Sequence, residues 1–187
     1  MIRKKIIISG ILYLLISTFY CYAQDEDKLI NAAATGDYAK VIRYANKGVN
    51  INAKNRIGWT SLAYASKYNH FEIVKFLVLK GADLNKKINT GFTPLQIALN
   101  SGHINIAKFL VENKADLDIK DMLGMSAIAW ASKHGNYDIV KYLAENGADI
   151  NSTNSSGRTP LDIAKTEEIK EYLRSLDAKT GDEIFNQ

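Results

Sequence analysis

The sequence predicts an all-α solenoid in which helix-turn-helix repeats with β-hairpin loops stack in one row, three full repeats standing between two terminal capping repeats. Two ladders with a period of 33 residues predict this. One consists of Gly58, Gly91, Gly124 and Gly157, and the other of the similar segments 48–52, 81–85, 114–118 and 147–151. Between them, apolar residues recur three or four positions apart, which is the spacing of one helix face.

Residues 1–23 are predicted to be a secretory signal peptide. A basic start at residues 3–5 precedes the apolar stretch Ile6–Ile16 and a more polar end. This order is typical of export signals. We expect cleavage after Ala23, which makes Gln24 the first residue of a periplasmic or secreted protein.

Two alternatives stay open for this segment. Residues 6–23 are at the short limit for an uncleaved membrane anchor. A lipid on Cys21 is the other alternative, although Tyr20 does not fit the small residue expected before a lipidated cysteine. Cleavage removes the only cysteine of the chain, and a cysteine-free product can hold neither a disulfide nor a thiolate catalyst.

Each repeat is predicted to begin with a tight turn at its ladder glycine, where positive φ is needed. A hydroxyl two residues later is placed to cap the first helix, and proline follows it in two repeats. The hydroxyl residues are Thr60, Thr93, Ser126 and Thr159, and the prolines are Pro94 and Pro160.

The second helix of each repeat presents an apolar stripe such as Ile73, Val74, Phe76 and Leu77. Gly81 and Gly147 are predicted to end two of these helices in the left-handed conformation. Lys114 occupies the same place in the third unit, counting the N-terminal cap as the first, and we therefore predict this unit to be the softest joint.

The two ends of the array carry polar residues where inner repeats are apolar. Lys40 and Arg43 mark the N-terminal cap, while Lys170 and Glu171 mark a shortened C-terminal cap. We therefore place the repeat domain at residues 24–176 and a polar tail at residues 177–187.

The repeating segments resemble the ankyrin repeat family, whose G-x-T-P-L-H-x-A and G-A-D-x-N signatures match over roughly residues 25–176. Two positions depart from the family pattern. The histidine of the first signature is replaced by Ala63, Gln96, Ala129 and Asp162, and the aspartate that opens a repeat remains only as Asp121, with Asn55, Ile88 and Asn154 elsewhere. We expect these departures to weaken hydrogen bonds within hairpins and between repeats.

No pattern predicts an enzyme, a cofactor or a metal site. His70 and His103 occupy equivalent places in successive repeats, too far apart to share a metal, and the carboxylates recur at repeat positions. The net charge of +4 falls to about +1 without residues 1–23, which argues against nucleic acid binding.

A protein-binding surface is predicted at the residue after each ladder glycine. In the family this position lies at the hairpin fingertips, beside the concave surface. We expect an exposed stripe of Trp59, Phe92 and Met125, extended by hairpin and first-helix neighbours: Ile57, Met122, Leu123, Lys67, Tyr68, Lys133 and His134. The alternative is that Trp59 and Phe92 pack onto neighbouring hairpins, and that Tyr64 and Trp130 are buried between helices.

The resulting prediction is a monomeric, exported, non-catalytic module that binds another protein. Resemblance to secreted bacterial ankyrin proteins implies an accessory, inhibitor or immunity role for a co-exported enzyme or toxin. The alternatives are a membrane-anchored structural element of the cell envelope and an effector that acts on a host protein. An enzyme would need a convergent polar site, which the sequence does not show.

Overall fold

The computed structural model describes residues 24–186, which form helices joined by turns; no strand occurs in this range. The helices come in pairs, and each pair is one unit of the stack. Their bounds are α1 (residues 24–35), α2 (Tyr38–Ala45), α3 (Ser61–Lys67), α4 (Phe71–Leu79), α5 (Pro94–Asn100), α6 (Ile104–Glu112), α7 (Ala127–His134), α8 (Tyr137–Glu145), α9 (Pro160–Ile163), α10 (Glu167–Ser175) and α11 (Gly181–Phe185). The predicted signal peptide lies outside the described residues.

The predicted solenoid of three full repeats between two capping units is confirmed. We call α1, α3, α5, α7 and α9 the first helices and α2, α4, α6, α8 and α10 the second helices. From α3 to α9 each first helix packs on the next. Helix α9, the first helix of the last unit, is a single short turn of Pro160–Ile163, as expected of a shortened terminal unit.

Four hairpins precede the first helices from α3 onward, and each is closed by a hydrogen bond from its first N–H to its last carbonyl. They are Asn55–Trp59, Ile88–Phe92, Asp121–Met125 and Asn154–Arg158, here called hairpins 1 to 4. The loops are therefore hydrogen-bonded turns too short to form strands.

Helix capping follows the sequence prediction at three of four places. Thr60, Thr93 and Thr159 accept a hydrogen bond from the third helical N–H of α3, α5 and α9. Ser126 makes no such bond to α7, and its buried hydroxyl has no partner among the described residues. The first helix of the third repeat therefore lacks a stabilising contact that its neighbours have.

The core runs between the two helix layers through the whole stack. Leu62, Leu95, Ile128 and Leu161 occupy one repeat position and are all buried, and so are Leu77, Leu110 and Leu143 of the second helices. Phe76, Phe109 and Tyr142 are only partly buried at the edge of this core. Since each layer touches mainly its neighbours, stability accumulates unit by unit.

Lys114, in the turn after α6, keeps the left-handed conformation of the glycines at the equivalent places. Its φ is 69°, while Gly81 and Gly147 have φ of 82° and 88° at the equivalent places. We expect Lys114→Gly to raise the free energy of unfolding by about 1 kcal/mol, because glycine adopts positive φ without steric cost. Urea denaturation followed by circular dichroism measures this change.

The reciprocal substitution is the control for this prediction. A side chain at Gly147 would meet no atom within 4 Å, so Gly147→Lys changes only the backbone preference. We expect a loss of about 1 kcal/mol there. Equal stability of Lys114→Gly and wild type would show that the turn after α6 is not strained.

The C-terminal residues differ from the polar tail expected at 177–187. Ala178 is buried, and α11 docks on the last repeat, where the Gly181 N–H donates to Asp162 Oδ2 at 2.7 Å. The Phe185 ring lies beside Gly157, at the end of the row of hairpins. The local sequence pattern did not predict this packing, because Gly157 and Asp162, which the segment contacts, lie well before it in the chain.

Candidate functional site: the hairpin face

The hairpins lie directly against one another and form a continuous edge. The Met122 N–H donates to the Thr90 carbonyl at 3.4 Å, and the Ser155 N–H donates to the Leu123 carbonyl at 3.0 Å. A Cβ at Gly91 would stand 2.8 Å from the Met122 nitrogen, so only glycine permits this approach. The chain therefore holds successive hairpin tips at fixed spacing.

Three hairpins are tied to the first helix that follows by a pair of residues nine positions apart. Asn55 Nδ2 donates to the Tyr64 hydroxyl at 3.3 Å, and Trp130 Nε1 donates to Asp121 Oδ2 at 2.8 Å. In hairpin 2 the pair is apolar, Ile88 with Ile97, both buried in one cluster. Each opening residue matches the chemistry of its partner.

This matching was missed by sequence reasoning, although the signal was present. The residue that opens a hairpin and the residue nine positions later change together from repeat to repeat. They are an amide and a hydroxyl in hairpin 1, two aliphatic side chains in hairpin 2, and a carboxylate and an indole in hairpin 3. Trp130 is buried, as the alternative interpretation predicted, whereas Tyr64 is only partly buried. The pairing of Trp130 with Asp121 was not part of that prediction.

Gln96 and Asp162 correct the expectation that the departures from the family signature weaken hydrogen bonding. Gln96 is buried, and its Nε2 donates to the carbonyls of Ile119 and Met125 at 2.7 and 2.9 Å, while its Oε1 accepts from the Thr93 N–H at 2.9 Å. This one side chain links the second repeat to hairpin 3.

Asp162 occupies the equivalent position in the last unit and also forms hydrogen bonds to the backbone. Although burial raises its pKa, the N–H groups of Thr159 and Gly181 donate to the carboxylate and hold the pKa of Asp162 below its usual value. Ala63 and Ala129 carry no polar atom at this position, so the expected loss applies only to those two repeats.

Three of the predicted surface residues are strongly exposed at the hairpin tips. Ile57 is 60% exposed, Met122 72% and Leu123 58%. We call these three residues the exposed tips. Tyr68, Lys67, Lys133 and His134 are exposed at the ends of the first helices α3 and α7.

Met125 is not part of this surface, which corrects the prediction of an exposed stripe through it. Only 4% of Met125 is exposed, because the side chain lies in a cluster with Ala129 and Trp130 beneath Phe92. The Trp130 indole in this cluster reaches hairpin 3, where its Nε1 donates to Asp121 Oδ2.

Trp59 and Phe92 are half-buried and border a small groove. The groove has a volume of about 200 Å³, with Ile88 and Ile97 on its floor and Lys67 at its edge. Trp59 also packs on Tyr64 at 4.8 Å between ring centroids, and Phe92 packs on Trp130 at 5.5 Å. Both residues therefore combine local packing with exposed ring surface.

Two lysines lie on these aromatic rings. Lys67 Nζ is 4.9 Å from the Trp59 ring centroid, and Lys133 Nζ is 4.7 Å from that of Trp130. His134 contacts Trp130 with its ring at 5.5 Å. Burial lowers the pKa of His134, and the charges of Lys133 and Lys165 lower it further.

The other histidines connect neighbouring units. His103 Nε2 lies 2.9 Å from the Lys67 carbonyl oxygen, and His70 Nε2 lies 3.4 Å from that of Ala34. Within residues 24–186, no group of three or more His, Cys, Asp or Glu side chains is placed to hold a metal ion. None of the helices in this range is both long and apolar enough to cross a bilayer.

The paired helices, the stacked hairpins and their partly apolar face define a class of repeat protein that acts in protein–protein interaction. Family models agree with this: one for ankyrin repeats in three copies matches residues 9–88 and 29–121, and one for ankyrin repeats in many copies matches residues 110–164. The chain belongs to the ankyrin repeat family. Such proteins are generally non-catalytic interaction modules.

Curated relatives share one segment with the chain. Ankyrin repeat domain-containing protein 40 of Mus musculus and that of Homo sapiens are each 38% identical to it over 56 residues. This segment is 29% of the chain and 15% of each relative. The likeness therefore covers a small part of those proteins.

Proposed function

We propose that this protein is an exported, non-catalytic module that binds a partner protein through the exposed tips and the adjoining groove. The observation that carries the proposal is the exposure of Ile57, Met122 and Leu123, which are all more than half exposed on hairpins 1 and 3. Exposed large apolar side chains grouped on one edge are typical of interaction sites.

The rigidity of the hairpins supports this function. Backbone hydrogen bonds join hairpin 2 to hairpin 3 and hairpin 3 to hairpin 4, and Gln96 fastens hairpin 3 to the preceding repeat. A partner therefore meets side chains on a backbone that is already ordered. Such preorganisation lowers the entropic cost of binding.

Export and the type of partner are the finer parts of the proposal. The basic and apolar pattern of residues 1–23 supports secretion to the periplasm or beyond the cell, with the protein acting as a monomer. The partner is a co-exported enzyme or toxin, for which this protein serves as accessory, inhibitor or immunity factor. The intact mass of protein recovered from its own cells tests export, since the expected product begins at Gln24.

The binding surface is tested with the triple variant Ile57→Ser, Met122→Ser and Leu123→Ser. Leu79→Ser is the matched control, because Leu79 is 82% exposed but lies on the second helix α4. We expect wild type and Leu79→Ser to capture the same partner from an extracytoplasmic fraction, and the triple variant to lose it by about tenfold or more.

Thermal unfolding of all three proteins should coincide, since the substituted side chains are exposed. Capture of the partner by the triple variant would place the binding surface elsewhere. A wild-type protein that captures no partner under any extracytoplasmic condition would contradict the proposed function itself.

A further inference from the structure

Ion pairs are unevenly distributed over the two helix layers. Within residues 24–186 every ion pair lies in the first unit or on a second helix; those on second helices are Lys75 with Glu72, Lys141 with Glu145, and Lys170 and Arg174 with Glu167. The first unit holds the pairs of Asp25 and Asp37 with lysines. Among the described residues, the four hairpins and the helices α3, α5, α7 and α9 contribute no charge to an ion pair.

The cations of the hairpin face are held by groups that carry no full negative charge. Lys87 Nζ donates to the Lys120 carbonyl at 2.9 Å, and Lys120 Nζ donates to the Thr153 carbonyl at 2.7 Å. Arg158 donates to the Asp162 carbonyl at 2.8 Å. Lys67 and Lys133 rest on indole rings. These contacts position the side chains, and none of these cations forms an ion pair with a carboxylate of the described residues.

Acidic side chains are rare on the same elements. Residues 54–67, 87–100, 120–134 and 153–163 contain seven lysine and arginine residues and two acids, Asp121 and Asp162. Asp121 accepts from Leu123, Met125 and Trp130, while Asp162 accepts from Thr159 and Gly181. Both carboxylates are thus used internally, although the whole chain is nearly balanced in charge.

We propose that the partner segment bound at this face is an acidic polypeptide, with carboxylates alternating with apolar side chains. This inference rests on the proposed function and names the chemistry of its partner. A segment in the groove would meet Lys67 beside Trp59, and beyond Phe92 it would reach Trp130 with Lys133 over its ring. Its apolar side chains would contact the floor formed by Ile88 and Ile97.

A polypeptide fits this face better than a phosphate polymer does. Arg56 and Lys120 lie close to the exposed tips in the sequence, and the groove at Lys67 has an apolar floor of Ile88 and Ile97. Nucleic acids require a clustered basic surface that follows a phosphate backbone. Charge complementarity with carboxylates also selects against basic partners.

Trp59 lines the groove, and Trp130, the other tryptophan of the chain, packs on the lining residue Phe92, so intrinsic fluorescence of the full-length protein reports its occupation. The probes are synthetic peptides of about 12 residues in which Leu alternates with Asp, Ser or Lys. We expect the Asp peptide to change the fluorescence and bind most tightly. Its Kd should rise about tenfold between about 50 and about 500 mM NaCl, because salt screens exposed charges.

Neutralising Lys67, which lines the groove, and Lys133, which lies over the Trp130 ring, tests the site directly. We expect Lys67→Gln and Lys133→Gln each to weaken binding of the Asp peptide about three- to fivefold. Lys108→Gln is the matched control: Lys108 Nζ also lies over a ring, 5.3 Å from the Tyr142 centroid, but on the second helices. That variant should bind the peptide as wild type does.

Equal affinity for the Asp and Ser peptides, or unchanged binding by Lys67→Gln and Lys133→Gln, would overturn the acidic partner and leave the proposed function standing. Tighter binding of single-stranded DNA or of phosphatidylglycerol vesicles would overturn it in favour of another class of ligand. Absence of binding by every peptide would overturn it as well, while partner capture by the exposed tips decides the proposed function separately.

Discussion

Replacing Gln96 with leucine is expected to lower the free energy of unfolding by about 3 kcal/mol. The Gln96 side chain is buried and makes three hydrogen bonds to backbone groups, two of them in the next repeat. Leucine has a similar size but leaves the Ile119 carbonyl and the Thr93 N–H without this partner, and it removes one of the two hydrogen bonds to the Met125 carbonyl, which keeps the bond from the Asp121 N–H. Each unsatisfied buried group costs about 1 kcal/mol or more.

Urea denaturation followed by circular dichroism measures this loss, and Gln96→His is its control. An imidazole occupies the same place in the family signature and can donate one hydrogen bond and accept another, so we expect histidine to recover about half of the stability. A leucine variant as stable as wild type would mean that Gln96 does not hold hairpin 3. A histidine variant as unstable as the leucine variant would assign the loss to packing.

The second large effect is expected for Asp121→Asn, which should cost about 2 kcal/mol. Asp121 Oδ1 accepts from the N–H groups of Leu123 and Met125, and Oδ2 accepts from Trp130 Nε1. Asparagine can keep the two backbone bonds with its oxygen. Its amide nitrogen then faces the indole N–H, and two buried donors meet without an acceptor.

A double-mutant cycle isolates this contact. Trp130→Phe removes the indole N–H, so Asp121→Asn should cost markedly less in that background, with a coupling of about 1 kcal/mol or more. Asn55→Asp is the matched control, because Tyr64 carries a hydroxyl that can donate to a carboxylate. We expect that substitution to change stability by less than about 0.5 kcal/mol. Additive effects of Asp121→Asn and Trp130→Phe would contradict the proposed pairing.

Both substitutions act on hairpin 3, which carries two of the three exposed tips. Gln96 and Asp121 are buried and are therefore not part of the proposed binding surface. If the surface works as proposed, loosening hairpin 3 should therefore weaken partner binding even at temperatures where the fold is intact, because the preorganisation of Met122 and Leu123 is lost.

The periodic features of the chain were predictable from the sequence. The 33-residue ladders predicted the paired helices, the threonine caps at Thr60, Thr93 and Thr159, and the left-handed turns at Gly81 and Gly147. These features depend on contacts within one repeat or between a repeat and an identical neighbour. A repeating pattern therefore carries the information that specifies them.

Only the tertiary structure decided which fingertip residues reach solvent and how the exceptional residues are used. Met125 is buried in a cluster that contains Trp130, a tryptophan that the other repeats lack at this position. Gln96 donates to backbone carbonyls of the next repeat, which it meets only in the folded stack. Residues after 176 pack on Gly157 and Asp162 in the same way. Whether a residue is exposed or hydrogen-bonded to another repeat depends on the individual side chains of the neighbouring repeat. The repeat period does not specify those side chains.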